Sequence, residues 1–174
     1  MRVLILSYSL SGNNDALAAA LARQLEARHL KVTEARRRTN GTIALDMLFN
    51  RTPRINPLGV NLGDYDFVLF VGPVWMGQAA APLRACFRLL REGVGKYGWV
   101  SISGGALGPN PRLTAGLKKR IGREPAAVID MQIVDLLPAN PKPSSKDTSE
   151  YRLTDEDVES LAKKALGSLK EAGL

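Results

Sequence analysis

"RVLILSYSLSGNND", residues 2–15, passes from an unbroken apolar run into serines, one glycine and two asparagines. An apolar run without polar alternation suits a strand covered on both faces, and such strands belong to parallel sheets flanked by helices. The residues that follow, from about Asn13 to Arg28, carry Leu17, Ala20, Leu21 and Leu25 at helical spacing. Strand, polar turn and helix in this order predict the first unit of an α/β sheet. The turn has two readings. It is a plain cap on the helix, or it is a loop whose free N–H groups, hydroxyls and amides hold an anion.

The same alternation continues down the chain. "LKVTEA" (30–35) alternates like a strand near a sheet edge, and "TIALDMLFN" (42–50) predicts a short amphipathic helix before a proline-bearing loop. "DFVLFVG" (66–72) and "YGWVSIS" (97–103) read as further buried strands. "APLRACFRLLREG" (81–93) reads as a helix halted by Gly93. "NPRLTAGLKKRIG" (110–122) predicts a helix capped by Asn110 with Pro111 in its first turn, and "AAVIDMQIVDLL" (126–137) a last strand. A polar, proline-containing crossing, 138–151, leads to a final helix with Thr154 as cap and Asp157 as its capping-box partner. Five strands with helical crossovers imply one parallel sheet wound on both faces. At 174 residues, with 45% apolar and 24% charged residues, one domain spanning 1–174 is expected.

Composition excludes several chemistries. One cysteine, Cys86, forbids an internal disulfide, and within "PLRACFRLL" it reads as a buried small hydrophobe. One histidine, His29, forbids a multi-histidine zinc site; near the predicted end of the first helix, it reads as a solvated residue or one compatible with the helix dipole. No apolar stretch is long enough for a membrane span, and the first run leads into turn residues without a cleavage-site pattern, so a cytoplasmic location is expected. The net charge is +7, with basic residues bunched at 28–38 and 118–123. Without zinc-finger spacing or an aromatic RNA-binding signature, this reads as a solvated basic face and not as a nucleic-acid surface.

Ligands of wound parallel sheets sit at the carboxyl ends of the strands. Three loops there have unusual compositions. The first holds Ser9, Leu10, Ser11, Gly12, Asn13 and Asn14, with no lysine or arginine. The second, "GPVWMGQAAAP" (72–82), presents Trp75 and Met76 between glycines, as a wall for a flat ring or as a lid folded on the core. The third, "SGGALGPNP" (103–111), permits close backbone approach to a ligand, or simply turns the chain.

Taken together these segments resemble the flavodoxin-like family, which binds flavin mononucleotide (FMN). "YSLSGNN" is similar to its phosphate loop, with Ser9, Ser11, Gly12 and Asn13 on matching positions; Asn14 stands where threonine or serine is usual. "GPVWMG" resembles the loop that walls the flavin ring, and "WVSISGGALG" resembles the strand and glycine loop on the ring's other side. The resemblance covers most of the chain in order. It implies a three-layer α/β/α fold with a doubly wound five-stranded parallel sheet of order 2-1-3-4-5. It implies FMN as cofactor, held by residues 9–14, by Pro73, Val74, Trp75, Met76 and Gly77, and by Ser103, Gly104 and Gly105. No catalytic acid–base residue or metal is then needed, because the cofactor carries the chemistry.

Two functions follow from the resemblance. One is an NAD(P)H-dependent oxidoreductase passing electrons through FMN to a quinone or other small acceptor. The other is a flavodoxin-type carrier that meets a redox protein partner and has no small substrate. Such carriers are usually acidic, so the basic charge favours the enzyme, and the Arg36–Arg38 run offers a site for a phosphorylated nicotinamide. A homodimer is compatible with either. A fold that has lost its cofactor and serves as an interaction module is the third alternative, raised by Asn14.

Overall fold

The computed structural model describes residues 1–36, 38–92, 95–106 and 108–174. The opening run forms β1 (Val3–Ser7), buried at all five positions. Its side chains alternate across the sheet: Val3 and Ile5 enter one core cluster, Leu4 and Leu6 the other. Helix α1 (Asn13–Gln24) follows, then the edge strand β2 (Arg28–Lys31). Helix α2 (Asn40–Leu48) precedes β3 (Phe67–Val71), the second fully buried strand. A small hairpin, β4 (Val74–Trp75) and β5 (Gln78–Ala79), leads into α3 (Ala81–Glu92). Then come β6 (Lys96–Ser103), α4 (Leu113–Ile121), β7 (Ala127–Gln132), α5 (Ser145–Glu150) and α6 (Asp155–Glu171).

The main sheet runs β2-β1-β3-β6-β7, every pair parallel. Counting only its own five strands, this is the order 2-1-3-4-5 that the resemblance implies. One face packs Leu17 and Leu21 of α1 with Leu161, Ala165 and Leu169 of α6. The other packs Leu83, Phe87 and Leu90 of α3 with Leu117 and Ile121 of α4, around Phe70, Tyr97 and Trp99. The sheet is therefore covered on both sides, which is why β1 and β3 tolerate no polar alternation.

Several expectations need correction. Helix α1 stops four residues early, because Glu26 takes a left-handed conformation (φ 50°) and turns the chain before Arg28. His29 consequently lies in β2 beside Ile5 of β1, not at a helix end. Asn110 does not cap α4: its side-chain amide donates to Asp130 at 2.7 Å, and the helix begins three residues later behind Arg112. The strand at 126–137 ends at Gln132 and tightens into a 3₁₀ turn, Ile133–Leu136, whose Val134 N–H donates to the Gly104 carbonyl. Gly93, expected to halt α3, lies outside the described residues. The Thr154–Asp157 capping box is present with both reciprocal bonds, at 3.1 and 2.9 Å. Among the described residues no helix is long and apolar enough to cross a membrane.

The strand position of His29 has a thermodynamic consequence. Buried Ser7 donates its hydroxyl proton to Asp15 at 2.6 Å, so its oxygen accepts from the Nε2–H of His29 at 2.8 Å. The hydroxyl proton is already committed to a carboxylate, so this trio is not a nucleophile–base relay. Partial burial lowers the His29 pKa from 6.5, against the pull of Asp15. The unfolded chain then takes up a proton at a higher pH than the folded protein does. The His29 contribution to stability is thus full above about pH 6.5 and shrinks as pH falls below it. His29→Gln is expected to flatten that part of the decline in a series of denaturant titrations between neutral and mildly acid pH.

Candidate functional site

The three loops meet at the carboxyl edge of the sheet and are bonded to one another. Strand β6 extends past β3: the β3–β6 register ends at Val71 opposite Val100, while β6 continues to Ser103. The N–H and carbonyl of Ile102 are therefore without a strand neighbour on that side. Asn14 supplies one: its amide oxygen accepts from Ile102 N–H at 3.0 Å and its NH₂ donates to Ile102 C=O at 2.9 Å. Only an amide offers a donor and an acceptor in this geometry. The first loop is tied to the third in this way. The second is tied to the third by Val74 N–H, which donates to the Ser103 hydroxyl at 2.9 Å.

Asn13 works in the same manner. Its NH₂ donates to Tyr151 C=O and its oxygen accepts from Leu153 N–H, pinning the crossing before α6 to the start of α1. Both asparagine side chains, expected as donors to an anion, are thus committed to the protein's own backbone. Their backbone N–H groups, at the start of α1, face the serines instead. Gly12, at φ 96°, and Asn14 both donate to Ser9 Oγ, at 2.9 and 3.2 Å, and Asn13 N–H reaches Ser11 Oγ at 3.5 Å. Each hydroxyl that accepts from a helix N-terminal amide keeps its own proton to donate. The loop therefore presents polarised neutral donors where the helix dipole favours negative charge.

A cavity of about 560 Å³ lies between the loops, within the usual size of a small-molecule site. Leu10, Ser11, Asn14, Pro73, Val74, Trp75, Met76, Gly77, Ser103, Gly104 and Gly105 all border it. Ser9, Gly12 and Asn13 do not; they lie behind the wall as its supports. The cavity also meets Arg112 at the start of α4, and Ser145, Thr148 and Ser149 on α5. Sequence reasoning missed these four. The signal for α5 was the pair Ser144 and Asp147, whose capping box is fully formed.

Trp75 faces two ways. It borders the cavity, and it also packs edge-on against Tyr8, with ring centroids 5.8 Å apart, while the Arg38 guanidinium lies 5.9 Å from its ring centre. Arg38 is clamped by Glu34 (2.6 and 2.8 Å) and Asp46 (2.6 Å) and is almost wholly buried. Burial, with Glu34 nearby, pushes the Tyr8 hydroxyl up to about 12, so it stays protonated. The expectation that the Arg36–Arg38 run attracts a phosphorylated nicotinamide fails for Arg38, whose charge is spent on two carboxylates; Arg37 lies outside the described residues. Cys86 is buried on the core side of α3, and desolvation raises its thiol to about 12, as expected of a structural cysteine.

The glycines of the third loop are explained by packing. A Cβ on Gly105 (φ 78°) would come within 2.6 Å of Gln132, and one on Gly104 within 2.9 Å of Thr148. They let the loop lie flat against β7 and α5. The hairpin tip differs. Met76 and Gly77 both have positive φ, 49° and 74°, the geometry of a two-residue turn of the primed type. Methionine pays conformational energy there, and its side chain is 74% exposed at the cavity rim. Met76→Asn is expected to stabilise the fold by about 1 kcal/mol, visible as a higher Tm, because asparagine suits this turn. The same variant is expected to weaken any ligand that rests on the methionine.

No family model and no curated protein sequence matches the chain. Among solved structures it is similar to a flavoprotein in complex with FMN from Lactobacillus acidophilus, at 22% identity and TM-score 0.63, covering 74% of this chain and 92% of that one. It is also similar to a putative flavoprotein from Bacteroides uniformis, at 13% identity and TM-score 0.68, covering 93% and 97%. A third is flavodoxin 2 from Bacillus cereus, at 15% identity and TM-score 0.51, covering 98% and 99%. The chain has the flavodoxin-like fold.

Proposed function

We propose that this chain is a single-domain flavoprotein that binds FMN in the cavity at the sheet edge and acts as an NAD(P)H-dependent oxidoreductase toward a quinone or another small acceptor. The observation that carries this reading is the convergence of all three loops on one cavity, with hydroxyl donors at the α1 end and Trp75 and Met76 along one side. The residues present fit the group. A phosphate needs donors without competing carboxylates, and Ser11, which borders the cavity, has a proton to give. An isoalloxazine ring needs an apolar wall and a close backbone, which the hairpin and residues 103–105 supply.

When bound, the flavin supplies the electron and hydride chemistry. The chain's own task is to hold it and control its surroundings. Ser11 would hold the phosphate, with Ser9 and the α1 amides behind it. Trp75 and Met76 shield one side from water, and Ser103 fixes the hairpin through Val74 N–H. Arg112 adds positive charge at the cavity, where an anionic ligand benefits most. Two similar solved proteins carry flavoprotein in their names, one of them with FMN, which supports the cofactor.

A second reading, an electron carrier for a protein partner, rests on a different observation. Leu10 and Met76, 52% and 74% exposed, leave an apolar rim at the cavity mouth of the kind a partner surface covers. NAD(P)H oxidation with a quinone separates the two. Sustained turnover supports the enzyme, and turnover no faster than free FMN gives in the same buffer supports the carrier.

A further inference from the structure

Away from the sheet-edge cavity, on the α3–α4 side, four basic side chains share one small recess. We propose that the recess of about 280 Å³ framed by Thr52, Arg84, Arg88, Lys119 and Arg120 is a second anion site, which takes a phosphate group of a small molecule.

Arg84 of α3 is 3% exposed, yet among the described residues no carboxylate pairs with it. Its guanidinium donates to the carbonyls of Ala79, Asp46 and Arg51, to Met47 sulfur and to Gln78 Oε1, all neutral acceptors. Asp46, whose charge acts on Arg84 from nearby, has its carboxylate on Arg38. Arg120 of α4 donates to the same Gln78 Oε1, at 3.2 Å against 3.1 Å for Arg84. Its other partner is Asn50 Oδ1, again neutral. Two guanidiniums thus converge on one amide oxygen, and Arg88 and Lys119 stand in the same recess without an ion pair among the described residues. Burial and the neighbouring Arg120 charge pull the Arg84 pKa down to about 10.

Such an arrangement is electrostatically costly by itself. A dianion in the recess offsets the repulsion, and Thr52 offers a hydroxyl donor beside it. The site also connects to the first cavity. A groove of about 570 Å³ is bordered by Lys119 and Arg120 at one end, and by Met76, Gly77 and Arg112, which also border the sheet-edge cavity. A phosphate here belongs either to a free phosphate or diphosphate compound, or to a longer ligand whose other end lies at the flavin cavity. The second source rests on the FMN reading; the anion site does not.

Calorimetric titration of the purified protein with inorganic pyrophosphate at low ionic strength tests it. Binding is expected, weakened by roughly tenfold or more in the exposed-residue double variant Arg88→Gln/Lys119→Gln. The charge-matched control Lys163→Gln/Lys164→Gln on α6 is expected to bind like wild type. No binding by wild type, or equal weakening in both double variants, overturns the site. Titrations with NADP⁺ and NAD⁺ identify the source. A preference for NADP⁺ that disappears in the Arg88/Lys119 variant supports a nucleotide phosphate, and equal binding of the two alongside intact pyrophosphate binding supports a free phosphate compound. Failure here leaves FMN uptake untouched, so the two proposals fail separately.

Discussion

Replacing Ser11 with glutamate is expected to weaken FMN binding by about 100-fold while changing riboflavin affinity little. Ser11 borders the cavity, and its hydroxyl accepts from the α1 terminus with a proton left to donate. A carboxylate there removes that donor and adds a like charge beside the phosphate. At about 5 Å and an effective dielectric near 20, the repulsion is about 3 kcal/mol. Riboflavin lacks the phosphate, so it measures any distortion of the ring site by the larger side chain. Parallel fluorescence-quenching titrations of the two flavins check this. Equal losses for both flavins place the effect in the ring site, and unchanged FMN affinity removes Ser11 from the phosphate loop.

Asn14→Leu is expected to destabilise the fold by about 3–4 kcal/mol, lowering Tm by roughly 10 °C. Leucine nearly matches the volume but leaves the N–H and C=O of Ile102 without partners in a buried position. Asn14→Asp tests the same point with an isostere: it keeps an acceptor for Ile102 N–H but sets a carboxylate oxygen against Ile102 C=O. It is expected to destabilise as well. Thermal unfolding of the three proteins decides this, and a Tm within about 2 °C of wild type in both variants contradicts the role given to Asn14.

That role shows where sequence reasoning reached its limit. The strand pattern was legible because burial on both faces leaves no alternation, as "VLILS" and "FVLFV" show. The loop positions followed from topology, and most of the residues they named do border one cavity. What stayed hidden depended on lengths that no local pattern encodes. The amides of Asn13 and Asn14 read as ligand donors because nothing nearby revealed that β6 outruns β3, or that the crossing at 151–153 docks on α1. Asn14, the departure from the familiar phosphate loop, is a structural solution to an unpaired strand end. The strand position of His29 stayed hidden because the left-handed turn after α1 falls on Glu26, where no glycine signals a stop. The basic stretch at 118–123 reads as a solvated face, and nothing in it shows that α3 sets Arg84 and Arg88 in the same recess as Lys119 and Arg120.

The central claim is that the cavity at the sheet edge holds FMN through its phosphate and its ring together. The most direct test is to mix the purified protein with excess FMN, remove free ligand by gel filtration, and read the visible spectrum. The account predicts one equivalent of flavin carried with the protein, and clearly less when riboflavin replaces FMN. A colourless protein under both conditions contradicts it.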